Sequence, residues 1–466
     1  MMFRNDLFAG RRYTVVGLGK AGLPAARALA AMGAEVIAWD DGEAARQAAG
    51  DAGLTVRMPA MAGLDALVLS PGIPHALPAP HPIAAAAREA GVPILTDAEL
   101  LYAAVRGMGS RARFAGITGT NGKSTTTALL AHILAGAGWP VAAGANLGPA
   151  ALSLPLLGDA GVYVLEMSSY MLERIAALRF DAAAMLNLSP DHLDRHGDMA
   201  AYARAKRRIF EAQGPGDTAV LGIDDADSRE MAAGLRATRR VVTISGGAPA
   251  DERADVWAEG RVLRDREGVV FDLTGAPALP GRHNAQNAAA ATAMATALGV
   301  TREAIARGLA SYPGLAHRQQ RVAEVGGVVF VNDSKATNAD AAAYALACYD
   351  RVIWIAGGMA KAGGIESLAP LLGRVAHAFL IGRDAPVLAA TLAAHGIAHT
   401  DVGTLEAAVA QAWHAARRLA APVVLLSPAC ASWDQFSGYD ARGERFGALA
   451  RALGDRDGAA TDGEAA

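Results

Sequence analysis

Residues 114–127 read Phe-Ala-Gly-Ile-Thr-Gly-Thr-Asn-Gly-Lys-Ser-Thr-Thr-Thr, an apolar strand, a tight glycine turn and a helix opened by Lys123 and Ser124. That order commits the region to an α/β arrangement and has one strong physical use, holding a nucleoside triphosphate. Backbone N–H groups of Gly119, Thr120, Asn121 and Gly122, aimed by the dipole of the following helix, form a cradle for anions. Lys123 reaches the β- and γ-phosphates in such a loop, and the hydroxyl of Ser124 or Thr125 holds Mg²⁺. The longer form of the motif has a glycine five residues before Gly122, where this chain has Ile117, so the loop is a short Gly-Thr-Asn-Gly-Lys-Ser version. The plain alternative is a strand–turn–helix with an ordinary surface lysine.

Around that loop the chain alternates short β-rich runs with Ala-rich helical runs, the rhythm of parallel, doubly wound sheets. Residues 13–17, 35–39, 66–70 and 92–95 read as strands of a first sheet. Residues 161–166, 182–187 and 218–221 join the phosphate-loop strand in a second. Residues 328–332, 352–356, 378–381 and 423–426 form a third. A helix is expected over 283–298, and Tyr312-Pro313-Gly314 breaks the chain before the third unit. The expected fold class is therefore α/β in three domains. A Rossmann-like amino-terminal domain spans 1–110, a central P-loop mononucleotide-binding domain 111–313 and a Rossmann-like carboxy-terminal domain 314–453. A small, polar, acidic and flexible tail follows over 454–466. A length of 466 residues suits about three domains. The reactive site is expected in clefts between them, with a hinge at residues 312–315.

Composition narrows the partners. Net charge of −3 gives no global polycation, so nucleic acid is not the expected partner. The most apolar stretch, 128–147, is broken by His132, three glycines and Pro140, so no membrane span is expected. Arg11-Arg12 run straight into a strand, not a signal-peptide core. Two cysteines, Cys348 and Cys430, give no disulfide framework and fit the cytoplasm.

Four further features carry chemistry. Gly17-Leu18-Gly19-Lys20-Ala21-Gly22 after a strand is a turn that admits a diphosphate, with Asp40 near the position of a ribose-binding acid. Alone it would also suit a nicotinamide-dependent oxidoreductase, which leaves the phosphate loop unexplained. Glu166 ends a hydrophobic strand downstream of that loop, where a nucleotide's Mg²⁺ finds an oxygen ligand. His192 and His196 stand four apart, a zinc-like spacing, but Leu193 replaces the glutamate of a zincin and Pro190 makes this a loop-to-helix start. A basic helix over 202–210 follows, whose plain reading is a solvated charged face; Lys206 is the candidate exception.

Taken in order, GITGTNGKS, EMSSY, LNLSPDHLDRH, AKRRIF, GRHNAQNAAAA, LAHR, VNDSKATN and LLSPACASWDQF resemble the Mur ligases of peptidoglycan synthesis, up to about residue 453. The resemblance implies an ATP-dependent amide ligase adding D-glutamate to UDP-N-acetylmuramoyl-L-alanine through an acyl phosphate. A related ligase adding L-glutamate or another amino acid, or one of folylpolyglutamate type, is the alternative. ATP and Mg²⁺ are the implied cofactors, small molecules the implied partners, and a cytoplasmic monomer the implied state.

Residue by residue, the resemblance makes Lys123, His192 and Lys206 catalytic, with Ser124, Glu166, His192 and a carbamylated Lys206 around the metal. It sets Asn284 and Asn287 at the adenine and ribose side of ATP, helix capping being the plain reading of Asn284. Arg318 falls near phosphate and Asp333 at ribose. Lys335, Thr337, Lys361, Ser432 and Tyr439 match glutamate-binding positions; a flexible-loop lysine is the plain reading of Lys361. Leu18, Lys20 and Asp41 fall at the UDP end, where Asp41-Gly42 replaces a frequent Thr-Arg and Lys20 is the compensating cation. Asn146 matches a substrate contact.

Overall fold

The computed structural model describes residues 2–247, 254–361 and 363–463, with the backbone path alone for 455–463. Among these residues the strands form three sheets, of five, nine and six strands. Runs such as Val162–Glu166, Val352–Gly357 and Val423–Leu426 are buried at every position. That is what a strand inside a parallel sheet requires, because helices cover both faces.

The first sheet is wholly parallel, in the order Thr55–Val56, Glu35–Trp39, Arg12–Val16, Ala66–Leu69, Ile94–Leu95. In the second, the phosphate-loop strand Arg113–Thr118 lies between Val162–Glu166 and Ala182–Met185, parallel to both. The register pairs Ile117 with Glu166 and Thr118 with Met185, so the carboxyl ends of three strands open side by side. Chain order reverses here, and the crevice outside such strand ends is where open α/β sheets take ligands. Antiparallel strands Val262–Asp265 and Gly268–Asp272 finish the far edge. The third sheet is parallel except for the edge strand Gln320–Val325.

The chain divides into two compact units, residues up to Ala276 with Arg282–Tyr312, and Pro277–Gly281 with Pro313 onward. The expected break at Tyr312-Pro313 is the end of the first unit. The expected boundary at 110/111 instead separates two sheets inside that unit, because they share one hydrophobic core. Phe114 stacks on Tyr163 at 4.7 Å and Tyr102 meets Phe114 edge-on at 5.2 Å. A buried carboxylate, Glu99, reinforces the junction by accepting from the backbone N–H groups of Ala176, Ala177 and Leu178 at 2.7–3.0 Å.

Two expectations need correction. The Ala-rich helix starts at Gly281, two residues early, which puts Asn284 inside its first turn and not at a cap. The last helix, Tyr439–Gly463, continues through most of the segment expected as a flexible tail. Residues 464–466 lie outside the described ones. No helix among the described residues is long and apolar enough to cross a membrane.

Candidate functional site

In the first unit the phosphate loop has the backbone its glycines allow. Gly119 and Gly122 have φ of +149° and +86°, and Gly122 is the N-cap of helix Lys123–Gly136. A Cβ on Gly122 would lie 2.2 Å from Asn287 Oδ1, so only glycine fits both the turn and its neighbour. Lys123 folds over the loop, donating to the carbonyls of Gly119 and Thr120 at 3.0 Å each. Ser124 is buried at the start of the helix, with Thr125 half-buried beside it.

The loop is held from behind by residues far away in sequence. Asn187 accepts from the Asn121 N–H at 2.9 Å and donates to the Asn121 carbonyl at 3.2 Å and to Gln286 Oε1 at 3.0 Å. Gln286 in turn donates to Asp224 at 2.8 Å. Asn287 accepts from Thr126 Oγ1 at 3.2 Å and donates to Asn284 at 3.0 Å, so both predicted asparagines are brought to the loop.

Glu166 is buried at the adjoining strand end. Its Oε1 accepts a short hydrogen bond from Asn146 Nδ2, while its Oε2 is buried with no hydrogen-bond partner. A carboxylate oxygen left bare in a dry site beside an anion cradle fits a cation. The expected substrate contact, Asn146, thus also orients the carboxylate.

Lys206 lies 1% exposed on helix Met199–Arg207, whose start is capped by Asp198. The neighbouring Arg204 and Arg207 are exposed, as a solvated face requires. Lys206 Nζ donates to the Gly119 carbonyl at 2.8 Å and Thr118 Oγ1 at 3.4 Å, and sits 4.6 Å over the ring of Tyr202. Burial, with Lys123 nearby, pushes this amine well below its ordinary pKa. Tyr202, absent from the sequence expectations, is buried with its hydroxyl 3.3 Å from Thr120 Oγ1, and burial pushes it up to about 12.

His192 and His196 part company. His192 has a φ of +54° and is half-exposed, with its ring 5.0 Å from Tyr170. Partial burial holds it below the usual imidazole value, Asp191 opposing and Lys123 and Lys206 assisting. His196 is buried, with Nε2 2.9 Å from Ser169 Oγ and Nδ1 3.2 Å from Glu173.

At the first sheet's glycine turn, Asp40 accepts from the N–H groups of Leu18 at 2.6 Å and Gly42 at 2.8 Å. The acid expected near a ribose therefore holds the turn itself. Asp41 is exposed and pairs with His81 at 3.1 Å, which holds its carboxyl below the usual range. Lys20 is exposed. A guanidinium that sequence reasoning missed, Arg46, donates to the carbonyls of Asp40 and Asp41 and lies 5.0 Å over the Trp39 ring.

The second unit gathers its own group. Asp333, just past strand Val328–Asn332, accepts from Ser427 Oγ at 2.7 Å and the Gln319 N–H at 3.2 Å. Burial pushes its carboxyl up to about 7, with Ser427, Gln319 and Arg318 opposing. Arg318 is flanked by His317 and Gln319 at φ of +62° and +45°. Lys335 Nζ donates to the Tyr439 hydroxyl at 3.3 Å, and the Thr337 N–H to the Lys335 carbonyl at 2.9 Å. Ser432 is buried with Oγ unpartnered, and Lys361 is exposed in its glycine-rich loop. Also missed was Arg442, buried and donating to Ser334 and the Cys430 carbonyl.

Two family models match the chain, the Mur ligase middle domain over residues 117–295 and the Mur ligase glutamate ligase domain over 317–430. A relative from Paramagnetospirillum magneticum, named UDP-N-acetylmuramoylalanine–D-glutamate ligase, is 53% identical over 98% of this chain and 100% of its own. The chain belongs to the Mur ligase family. Among solved structures, the UDP-N-acetylmuramate-alanine ligase of Thermotoga maritima overlays with a TM-score of 0.59 at 18% identity, covering 95% of this chain and 99% of that one. The MurF ligase of Thermotoga maritima in complex with ADP gives 0.57 at 17% identity, covering 98% of each chain. These likenesses show that the Mur ligase fold is shared.

Proposed function

We propose that this Mur ligase joins D-glutamate to UDP-N-acetylmuramoyl-L-alanine at the expense of ATP, as a cytoplasmic monomer supplying peptidoglycan precursors. The relative's printed name suggests the substrates. The observation that carries the chemistry is the Lys206 amine buried against the phosphate loop, pushed well below its ordinary pKa, near Lys123 and a bare Glu166 oxygen.

A carboxylate is a poor electrophile, so the acceptor's carboxylate first takes the γ-phosphoryl group. The glutamate amine then attacks the acyl phosphate, and phosphate leaves. The first step crowds negative oxygens together, and cationic clamping is the dominant demand. Lys123 and the N–H groups of residues 119–122 meet that demand, with Thr125 beside Ser124 at the helix start. Asn284 and Asn287 take the adenosine side, Arg318 the phosphates and Asp333 the ribose. Lys335, Thr337, Lys361, Ser432 and Tyr439 hold glutamate, while Leu18, Lys20 and Asp41 hold the UDP end. Ser124, Glu166, His192 and Lys206 would hold Mg²⁺, which supplies charge neutralisation when bound. A neutral amine adds to CO₂ and loses a proton, so Lys206 can become an N-carboxylate, an anion suited to that role. The three sheets then serve three tasks: UDP binding, ATP binding and glutamate binding. The free thiols Cys348 and Cys430 suit a reducing compartment.

A panel of amino acids assayed for ADP release with UDP-N-acetylmuramoyl-L-alanine tests the reading. Turnover with D-glutamate and not L-glutamate is expected. Full activity with L-glutamate, or with a folate acceptor, would replace it with the corresponding relative.

A further inference from the structure

Arg174 is a buried charge the chemistry above does not use. It follows the short helix Ser169–Leu172 and is 2% exposed. Its guanidinium donates to the carbonyls of Leu69 at 2.8 Å, Ser70 at 3.0 Å and Ile73 at 2.6 Å, and lies 3.3 Å from His75 Nδ1. Arg195 adds a bond to the Gly72 carbonyl at 3.0 Å from the turn that carries His192. Two cations from the second sheet thus grip one proline-rich loop of the first.

That loop shapes the glycine turn. Ser70 Oγ donates to the Gly17 carbonyl at 2.6 Å, and the Ser70 N–H to the Val16 carbonyl at 3.0 Å. A Cβ on Gly17 would lie 2.6 Å from Ile73 Cδ1 and 2.7 Å from Ser70 Cβ, so loop and turn are in direct contact. Joining the two sheets does not need Arg174, since Glu99 already ties the segment 176–178, which leads to strand Ala182–Met185, to the first sheet's helix. What Arg174 adds is a side-chain hold on the carbonyls of 69, 70 and 73, of which that of Ser70 also accepts from the Ile73 N–H at 3.0 Å. Burying a guanidinium is costly before its hydrogen bonds are counted, a large outlay for loop shape unless the shape matters.

We infer that Arg174 is a positioning residue for the acceptor: through the 69–73 loop and Ser70 it sets the glycine turn that takes the substrate's uridine diphosphate end. The inference rests on the proposed function for the identity of that substrate. It is tested on the full chain by steady-state kinetics with UDP-N-acetylmuramoyl-L-alanine, ATP and D-glutamate varied in turn, and by calorimetric titration of UDP alone. In Arg174→Met the acceptor KM rises about tenfold while the KM for ATP and D-glutamate stays within about twofold, and Arg174→Lys recovers part of the loss. Ser70→Ala, which removes only the bond to Gly17, raises the acceptor KM in the same selective way and serves if Arg174→Met does not fold. An unchanged acceptor KM in the folded variants, or a parallel rise of all three, overturns the inference. Wild type that binds UDP but adds no D-glutamate refutes the proposed function, and weaker UDP binding by the variants then still supports the inference. UDP binding equal in wild type and variants, or absent from wild type, overturns it.

Discussion

Gly122→Ala is the sharpest perturbation of the phosphate loop, because one methyl group tests both backbone and packing. An alanine held at φ +86° pays a left-handed penalty of ~1–2 kcal/mol. Its Cβ, placed 2.2 Å from Asn287 Oδ1 and 3.2 Å from Leu186 Cδ1, forces Asn287 aside. That breaks the bonds of Asn287 to Thr126 and Asn284, at ~1 kcal/mol each, for a total of ~3–4 kcal/mol. Misplacing the cradle by about an ångström should cut kcat/KM for ATP about 10²-fold. Gly50→Ala is the control: Gly50 lies inside helix Glu43–Asp51 with nothing within 4 Å of the added Cβ. There the same methyl is expected to stabilise by ~0.5–1 kcal/mol. Thermal melts and ATP kinetics on both variants decide the matter. Equal melting and equal ATP kinetics for Gly122→Ala and wild type would refute the reasoning.

Three further outcomes are expected. With ¹³C-bicarbonate at pH 7–8 the chain shows a carbamate resonance that Lys206→Met lacks, since burial lowers the amine's pKa and favours the form that adds to CO₂; its absence at saturating bicarbonate removes the N-carboxylate from the proposal. Asp333 carries a carboxyl raised from 3.8 to about 7, so the folded chain binds its proton more tightly than the unfolded one; the resulting stability is full below about pH 4 and lost as pH rises to about 7, worth ~4 kcal/mol at ~1.36 kcal/mol per unit. Denaturant melts across that window should show the decline in wild type and a flatter profile in Asp333→Asn, and identical slopes would exclude it. Glu99→Ala strips three backbone donors of their acceptor and should cost ~2–4 kcal/mol, read as a lowered denaturation midpoint; a neutral result would mean water replaces the carboxylate.

What could be read from the sequence follows a physical rule. Strands Glu35–Trp39, Val328–Asn332 and Val423–Leu426 were expected with the observed bounds, because burial on both faces of their central residues writes a short apolar run. Strand Val141–Ala145 was missed: it is only alternately buried and, after Val141, made of alanine and glycine, which resemble the helix before it. Lys123, Ser124 and Glu166 were legible because loop and strand end are contiguous motifs whose backbone path sets their geometry. Asn187, Gln286, Asp224 and Arg174 were not, because each acts on a partner supplied by a distant segment. Arg174 reaches carbonyls 101 to 105 residues away, and no local spacing encodes that meeting.

The buried lysine shows why such distant partners matter. An ammonium at the Lys206 position would sit in a buried site near Lys123, whose charge is opposed by Asp191 and by Glu166, which has one oxygen already taken by Asn146. These carboxylates do not offset the desolvation of a charge, so burial shifts the amine toward its neutral form. Its acceptors are the Gly119 carbonyl and the Thr118 hydroxyl, uncharged groups that do not supply the counter-charge an ammonium would need. On the proposed reading, CO₂ then converts the position from a neutral donor to an anion, and the lysine next door changes from a source of repulsion to a counter-charge. The same burial that makes a cation costly therefore prepares the side chain for the opposite charge.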